Sequence, residues 1–274
     1  MGGVIVRDDL IESFYFWEAY CCLRTGDASL TPSAFYRERE AQLTAGNAEW
    51  LDRFGQSILG RRGWESGRAK SWTSVLASWQ RLNVPIRSAI QTVRALADHT
   101  RLALIANQPR EALDTIASLG ICDFFEFIAI DACLPYSKPD IRFYESALEG
   151  MRCTPSGVLM VGDRIDNDIH PAQRLGLRSA WICFVPRPPQ TQYLPAEWQR
   201  AYFSSIRRVG RHNQHTFIPE LRNIKADYEA SSLCRLFDLR SADLLQNPTG
   251  AEQRGRKHPE QVGDGTGGGG QGAQ

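Results

Sequence analysis

Residues 158–170 read VLMVGDRIDNDIH, from Val158 to His170. A short apolar run stops at Gly162-Asp163, and a second carboxylate, Asp168, follows five residues later where a helical pattern begins. The reading is strand, loop, helix. In an open parallel sheet the carboxyl ends of the strands line the ligand crevice, so both acids would be delivered to one place. Two carboxylates there suit a hard cation such as Mg²⁺, which takes oxygen ligands and keeps waters that a phosphate can replace. The plain alternative is a pair of helix-capping acids in solvent. The flanking segments have to decide between them.

On either side the chain alternates. Ile86, Ile90, Val93 and Ala97 mark a helix, and Leu102 to Ala106 is an apolar run ending in Asn107-Gln108-Pro109. A helix from Pro109 to Leu119 follows, then a strand at Phe127 to Ile130, a helix at Pro139 to Leu148, and the strand at Val158 to Val161. Asn167 to Leu175 is a further helix closed by Gly176, and Ser179 to Val185 a further strand. Strands and helices alternating at this length build a Rossmann-like doubly wound parallel sheet, because right-handed crossovers leave few other arrangements. The fold class is therefore α/β.

Ahead of this core the texture is all-helical over residues 14–83. Leu10, Phe14, Trp17 and Cys21 share a helix face, Thr31-Pro32 is a helix start, and Leu51, Phe54 and Ile58 repeat the spacing up to Gly60. Five of the seven tryptophans, Trp17, Trp50, Trp64, Trp72 and Trp79, lie in or beside these helices. Rings of that size at helical spacing read as core before they read as a substrate pocket. After Val185 the pattern weakens: 186–218 reads as an irregular insertion with a basic cluster of Arg207, Arg208 and Arg211, expected to be solvated. His212 and His215 stand three apart without further ligands in view, and a polar surface loop is the expectation there. Ile224 to Leu239 reads as a returning strand and helix that completes a core over 84–240. Residues 241–274 become polar and then glycine-rich, a composition that cannot bury enough surface to fold, and a disordered tail is expected.

The composition excludes several classes. A formal net charge of +1 over 274 residues gives no electrostatic case for nucleic acid or an anionic membrane. Seven cysteines without any CxxC fit reduced, mostly buried thiols better than a disulfide frame or a zinc site. No apolar run suits a signal peptide or a membrane span, and a soluble cytoplasmic protein is expected.

Four features then line up. They are the strand ending Ile105-Ala106-Asn107-Gln108, the segment Ser137-Lys138-Pro139-Asp140 opening a helix, the loop GDRIDND at 162–168, and the helical block before the core. Together they resemble the haloacid dehalogenase superfamily, most of whose members are Mg²⁺-dependent phosphohydrolases with a helical cap over a Rossmann-like core. The resemblance implies a cap over 14–83 and hydrolysis of a small phosphorylated metabolite through an aspartyl phosphate. In that chemistry one aspartate after the first strand attacks phosphorus, and another two residues on protonates the leaving group. A hydroxyl holds a phosphoryl oxygen, a lysine neutralises the crowded charges, and the acidic loop completes the Mg²⁺ site.

Carried over by position, Lys138 takes the lysine role in catalysis and phosphate binding. Asp163 becomes a metal ligand, and Asp168 a ligand or the residue that orients Asp163 and bound water. The hydroxyl position is Ala106, which leaves Asn107 and nearby amides to hold a phosphoryl oxygen. The first motif departs further. Val4 to Val6 is followed by Arg7-Asp8-Asp9-Leu10, with no Asp-x-Asp triplet, so Asp8 is the nucleophile candidate and Leu10 stands where the acid/base aspartate belongs. Residues 1–13 thus read as a degenerate or truncated first strand, either shortened in place or with its true start upstream, and a sheet lacking that strand would keep an unfilled place. The alternative function is a non-catalytic binding or interaction protein on the same fold. A third, carbon–halogen hydrolysis, would use the aspartate without Mg²⁺, and the intact acidic loop speaks against it.

Overall fold

The computed structural model describes residues 1–183, 193–211 and 218–240; the expected tail at 241–274 and the His212/His215 pair lie outside the described residues. The helical block consists of α1 (Asp9–Leu23), α2 (Pro32–Thr44), α3 (Trp50–Ala77) and α4 (Trp79–Leu82). Thr31 caps α2 by accepting the Ala34 amide at 3.2 Å, and Pro32 occupies the first turn, where its missing N–H costs nothing. Gly60 interrupts α3 with a φ of +68°, the break that the end of the Leu51–Ile58 pattern foretold. Trp50, Trp64 and Trp79 are buried and Trp17 half-buried, as a core reading requires; Trp72 is the exception at 38 % exposure.

The chain enters and leaves this block through a two-residue antiparallel pair, β1 (Val6–Arg7) with β2 (Val84–Pro85), in register Val6 to Pro85. Over residues 1–13 the strand is two residues long, and Val6 pairs with Pro85 outside the core sheet. Met1 to Val6 is a tight turn, in which the Gly3 amide donates to the Val6 carbonyl at 2.9 Å and the Ile5 amide to the Met1 carbonyl at 2.8 Å. Helix α1 already starts at Asp9, because Asp9 and Glu12 place negative charge in its first turn, where the helix dipole favours it.

Among the described residues the core contains five strands, β3 (Ala103–Ala106), β4 (Phe127–Ile130), β5 (Leu159–Gly162), β6 (Arg178–Ile182) and β7 (Tyr228–Ala230). Around them lie α5 (Arg87–Ala97), α6 (Ala112–Ser118), α7 (Ile141–Gly150), α8 (His170–Arg174), α9 (Ala196–Val209) and α10 (Leu233–Arg240). Every core pairing is parallel: β3 with β4, β5 with β6, and β6 with β7. The doubly wound α/β reading holds, with one break. Among the described residues no ladder joins β3 to β5, so the sheet is split into halves of two and three strands. Two apolar layers nevertheless run across the split. Leu104, Ala106, Ile130, Ala180 and Ile182 share one cluster, to which Leu159 and Val161 add, while Ala129 and Met160 share the other with Ile105 beside them.

Within the expected insertion, residues 196–209 are helical rather than irregular. Trp198, Tyr202, Ser205 and Ile206 recur at helical spacing and are all buried, so α9 has a core face of its own. The cysteines are all free thiols, as expected, but none is fully buried, and Cys21, Cys133 and Cys183 are exposed. No described helix is long and apolar enough to cross a membrane.

Candidate active site

Lys138 follows β4 and is held at its main chain by a neighbouring strand end. Its amide donates to Asn107 Oδ1 at 2.8 Å, while Asn107 Nδ2 donates to the Lys138 carbonyl at 2.7 Å. The ammonium then reaches Asp168, with Nζ 2.6 Å from Oδ1 and the two side chains only 8 % and 4 % exposed. The second oxygen of Asp168 accepts the Arg164 amide at 3.0 Å. Burial alone would raise the Asp168 pKa, but the Lys138 charge and these hydrogen bonds outweigh it and hold the carboxyl below its ordinary range. Gly162 is needed for this arrangement, since a Cβ there would collide with the Asp168 side chain.

Asp163 ends β5. Its carbonyl accepts the Trp181 indole N–H at 3.0 Å, and its carboxylate lies against Gly3 of the N-terminal turn. The Met1 amino group is buried in the same crevice, and its pKa is lowered by that burial and then by the Lys138 charge. Arg164 pairs with Asp166 beside the loop, and Tyr144 donates its hydroxyl to the Asn167 carbonyl. The structure therefore brings Lys138, Asp163 and Asp168 together at the carboxyl ends of β4 and β5.

Asn107 is at this edge too, but its amide is given over at both ends to the Lys138 main chain. The Gln108 amide donates to Asp131 Oδ1 at 2.7 Å, so a carboxylate already takes the nearest backbone donor. Asp8 is paired with Arg211, Nη2 to Oδ2 at 2.6 Å, and Arg211 also donates to Glu12 at 2.7 Å. Arg211, expected in solvent, is buried. Burial works against its charge, yet Asp8 and Glu12 overcome that and push its pKa well above the usual value. Sequence reading passed over Arg211 because its partners are some two hundred residues earlier in the chain. Asp131 and Trp181 left only a weak signal, each standing at or just past a strand end.

The residues fit a divalent cation only in part. Asp168 spends both oxygens on Lys138 and Arg164, and Asp8 is committed to Arg211. Among the described residues no group of three His, Cys, Asp or Glu is gathered to hold a metal ion. Of the two loop acids, Asp168 holds the lysine and Asp163 lies against Gly3 of the N-terminal turn. That is short of the donor set Mg²⁺ needs.

Comparison with known proteins agrees with the fold. Residues 69–182 match the model of the haloacid dehalogenase-like hydrolase family. A glyceraldehyde 3-phosphate phosphatase of Pyrococcus abyssi is 33 % identical over 83 residues, covering 30 % of this chain and 35 % of that protein. A phosphoserine phosphatase of Thermus thermophilus is 28 % identical over 95 residues, covering 34 % and 38 %. The matches thus span little more than a third of the length of these curated relatives. Among solved structures, a HAD-hydrolase of Bacillus subtilis aligns with a TM-score of 0.54 at 17 % identity, over 86 % of this chain and 93 % of that one. A HAD phosphatase of Thermococcus onnurineus aligns at 0.52 and 18 %, over 87 % and 94 %.

Proposed function

We propose that this chain, whose residues 69–182 are those of a haloacid dehalogenase-like hydrolase, receives the phosphoryl group of a small phosphorylated metabolite at the edge beside Lys138. The observation that carries the reading is the buried Lys138–Asp168 pair, fixed from behind by Asn107. Two buried charges at 2.6 Å are costly to desolvate, and such a pair is weak evidence for stability alone. A cation aimed at a strand-edge crevice has a use when an anion arrives, because it offsets the repulsion between a phosphoryl group and the nearby carboxylates. The named activities of the matched phosphatases support the substrate class. In this reading the helical block is a cap, and the core is the hydrolase domain.

Hydrolysis through an aspartyl phosphate needs a carboxylate in line with the phosphorus. Lys138 stretches from Asn107, at the end of β3, to Asp168, beyond β5. Lys138 therefore links the strand ends of the two half-sheets, with the Met1 amino group buried beside it. Asp8 lies against Gly2, beside the same Met1 amino group that feels Lys138 and Asp163, but it is paired with Arg211, so it is a poor nucleophile. That pairing, with Ala106 in the hydroxyl position, favours a second reading in which the chain binds phosphate and turns it over slowly or not at all.

The deciding experiment is hydrolysis of an aryl phosphate with Mg²⁺ or chelator, run beside orthophosphate calorimetry on the wild type and Lys138→Ala. Phosphate binding lost in Lys138→Ala supports the site. Mg²⁺-dependent turnover lost in both Asp8→Asn and Asp163→Asn supports hydrolysis by this chain, and binding without turnover supports the second reading. Binding unaffected by Lys138→Ala would overturn both.

A further inference from the structure

Helix α9 follows β6 in the core, yet its contacts are with the helical block. Trp198 is fully buried, its indole N–H donates to the Ser13 carbonyl of α1 at 3.1 Å, and its ring lies 4.8 Å from Tyr36 of α2 and 5.0 Å from Tyr20 of α1. Tyr202 donates to Glu12 at 3.2 Å. From α2, Arg39 is buried and donates to Ser205 at 3.1 Å and to the Gly210 carbonyl at 2.9 Å, closing over the end of α9. One residue further on, Arg211 grips Asp8 and Glu12, which flank the start of α1 next to β1.

A helical block joined to a core through β1 and β2 alone would hang on two paired residues per strand, which is too little to fix an orientation. The extra helix changes that. We propose that α9 is a strap that belongs mechanically to the helical block, with Arg211 as the pin fastening it to the hinge. The block can then turn about β1–β2 only if α9 travels with it. The apolar part, Trp198 and Tyr202 among Tyr20, Phe35 and Tyr36, supplies adhesion. The arginines set the position, because a buried guanidinium donating to two carboxylates tolerates little displacement.

The test is hydrogen exchange on the full chain, followed by mass spectrometry of peptides from each element. In the wild type α9 should exchange in one slow group with α1 and α2. Trp198→Ala should speed exchange in all three by tenfold or more while β3, β4 and α7 keep their protection, and Arg207→Ala, at an exposed side chain that donates to the Phe203 carbonyl of its own helix, should leave every element as it was. If Trp198→Ala unfolds the chain, Tyr202→Phe removes one hydroxyl and is judged by the same rule. Should α9 exchange fast while α1 and α2 stay protected, in the wild type or in either variant, α9 is a passive appendage and the proposal fails.

Discussion

Lys138 and Asp168 illustrate how one pair can be both necessary and costly. With both side chains under a tenth exposed, removing one charge leaves the other buried without a partner, a change that costs about 3–5 kcal/mol. Asp168→Asn should lose about that much in urea unfolding, whereas the double change Lys138→Met with Asp168→Leu should recover most of it; equal losses would show that the pair is solvated. The same carboxyl sets an acid limit. Its folded pKa is depressed, so its contribution is complete above the unfolded value of about 3.9 and fades as pH falls through the lower folded value. The stability gap between wild type and Asp168→Asn should therefore be constant near neutrality and close below about pH 4. Asn107→Ala removes two neutral hydrogen bonds, each worth roughly 1 kcal/mol, and should weaken phosphate binding through Lys138 without removing a ligand. At this scale the sequence revealed the acids of one loop and a lysine in a recognisable segment, since their relations are local. It hid the Arg211 pairing with Asp8, because no spacing rule connects residues that distant.

Among the elements, the helices announced by capping and period were legible and the one without a clear start was not. Thr31-Pro32 and the Leu51–Ile58 spacing placed α2 and the first half of α3, while α9 begins at Ala196 behind a proline-rich stretch and has no side-chain cap. Its apolar spacing, Trp198, Tyr202 and Ile206, is present, but without a clear start it does not stand out from an irregular stretch. The Gly60 break in α3 offers a clean measurement, because a Cβ there would meet nothing within 4 Å. The cost of Gly60→Ala is then backbone strain alone, at φ +68° and ψ 166°, a region essentially reserved for glycine that costs another residue about 1–3 kcal/mol. Thermal unfolding should register a loss of that size, and an unchanged or higher midpoint would mean that α3 straightens when glycine is removed.

For the molecule as a whole, the sheet is where sequence and structure differ most usefully. The strands and their parallel sense follow from the alternating pattern, but which strands touch is a long-range property, and only the weakness of residues 1–13 hinted that no ladder joins β3 to β5 among the described residues. The split has a measurable consequence. β6 has a partner on each side over Ala180–Ile182 and the Ser179 amide donates to Asp227, whereas among the described residues β3 and β5 each pair on one side only. In a parallel strand successive amides point to opposite edges, so alternate N–H groups of β3 and β5 face the gap. Residue-resolved exchange should therefore show alternating fast and slow amides along Ala103–Ala106 and Leu159–Gly162, against uniformly slow ones in Arg178–Ile182. Uniform protection in β3 and β5 would mean that the halves close onto each other in solution. The tie across the gap is then the shared apolar layers and Lys138, which holds Asn107 on one side and Asp168 on the other. If that tie bears load, Lys138→Met should raise exchange along both inner edges at once while leaving β6 untouched, which would couple the candidate site to the seam on which it sits.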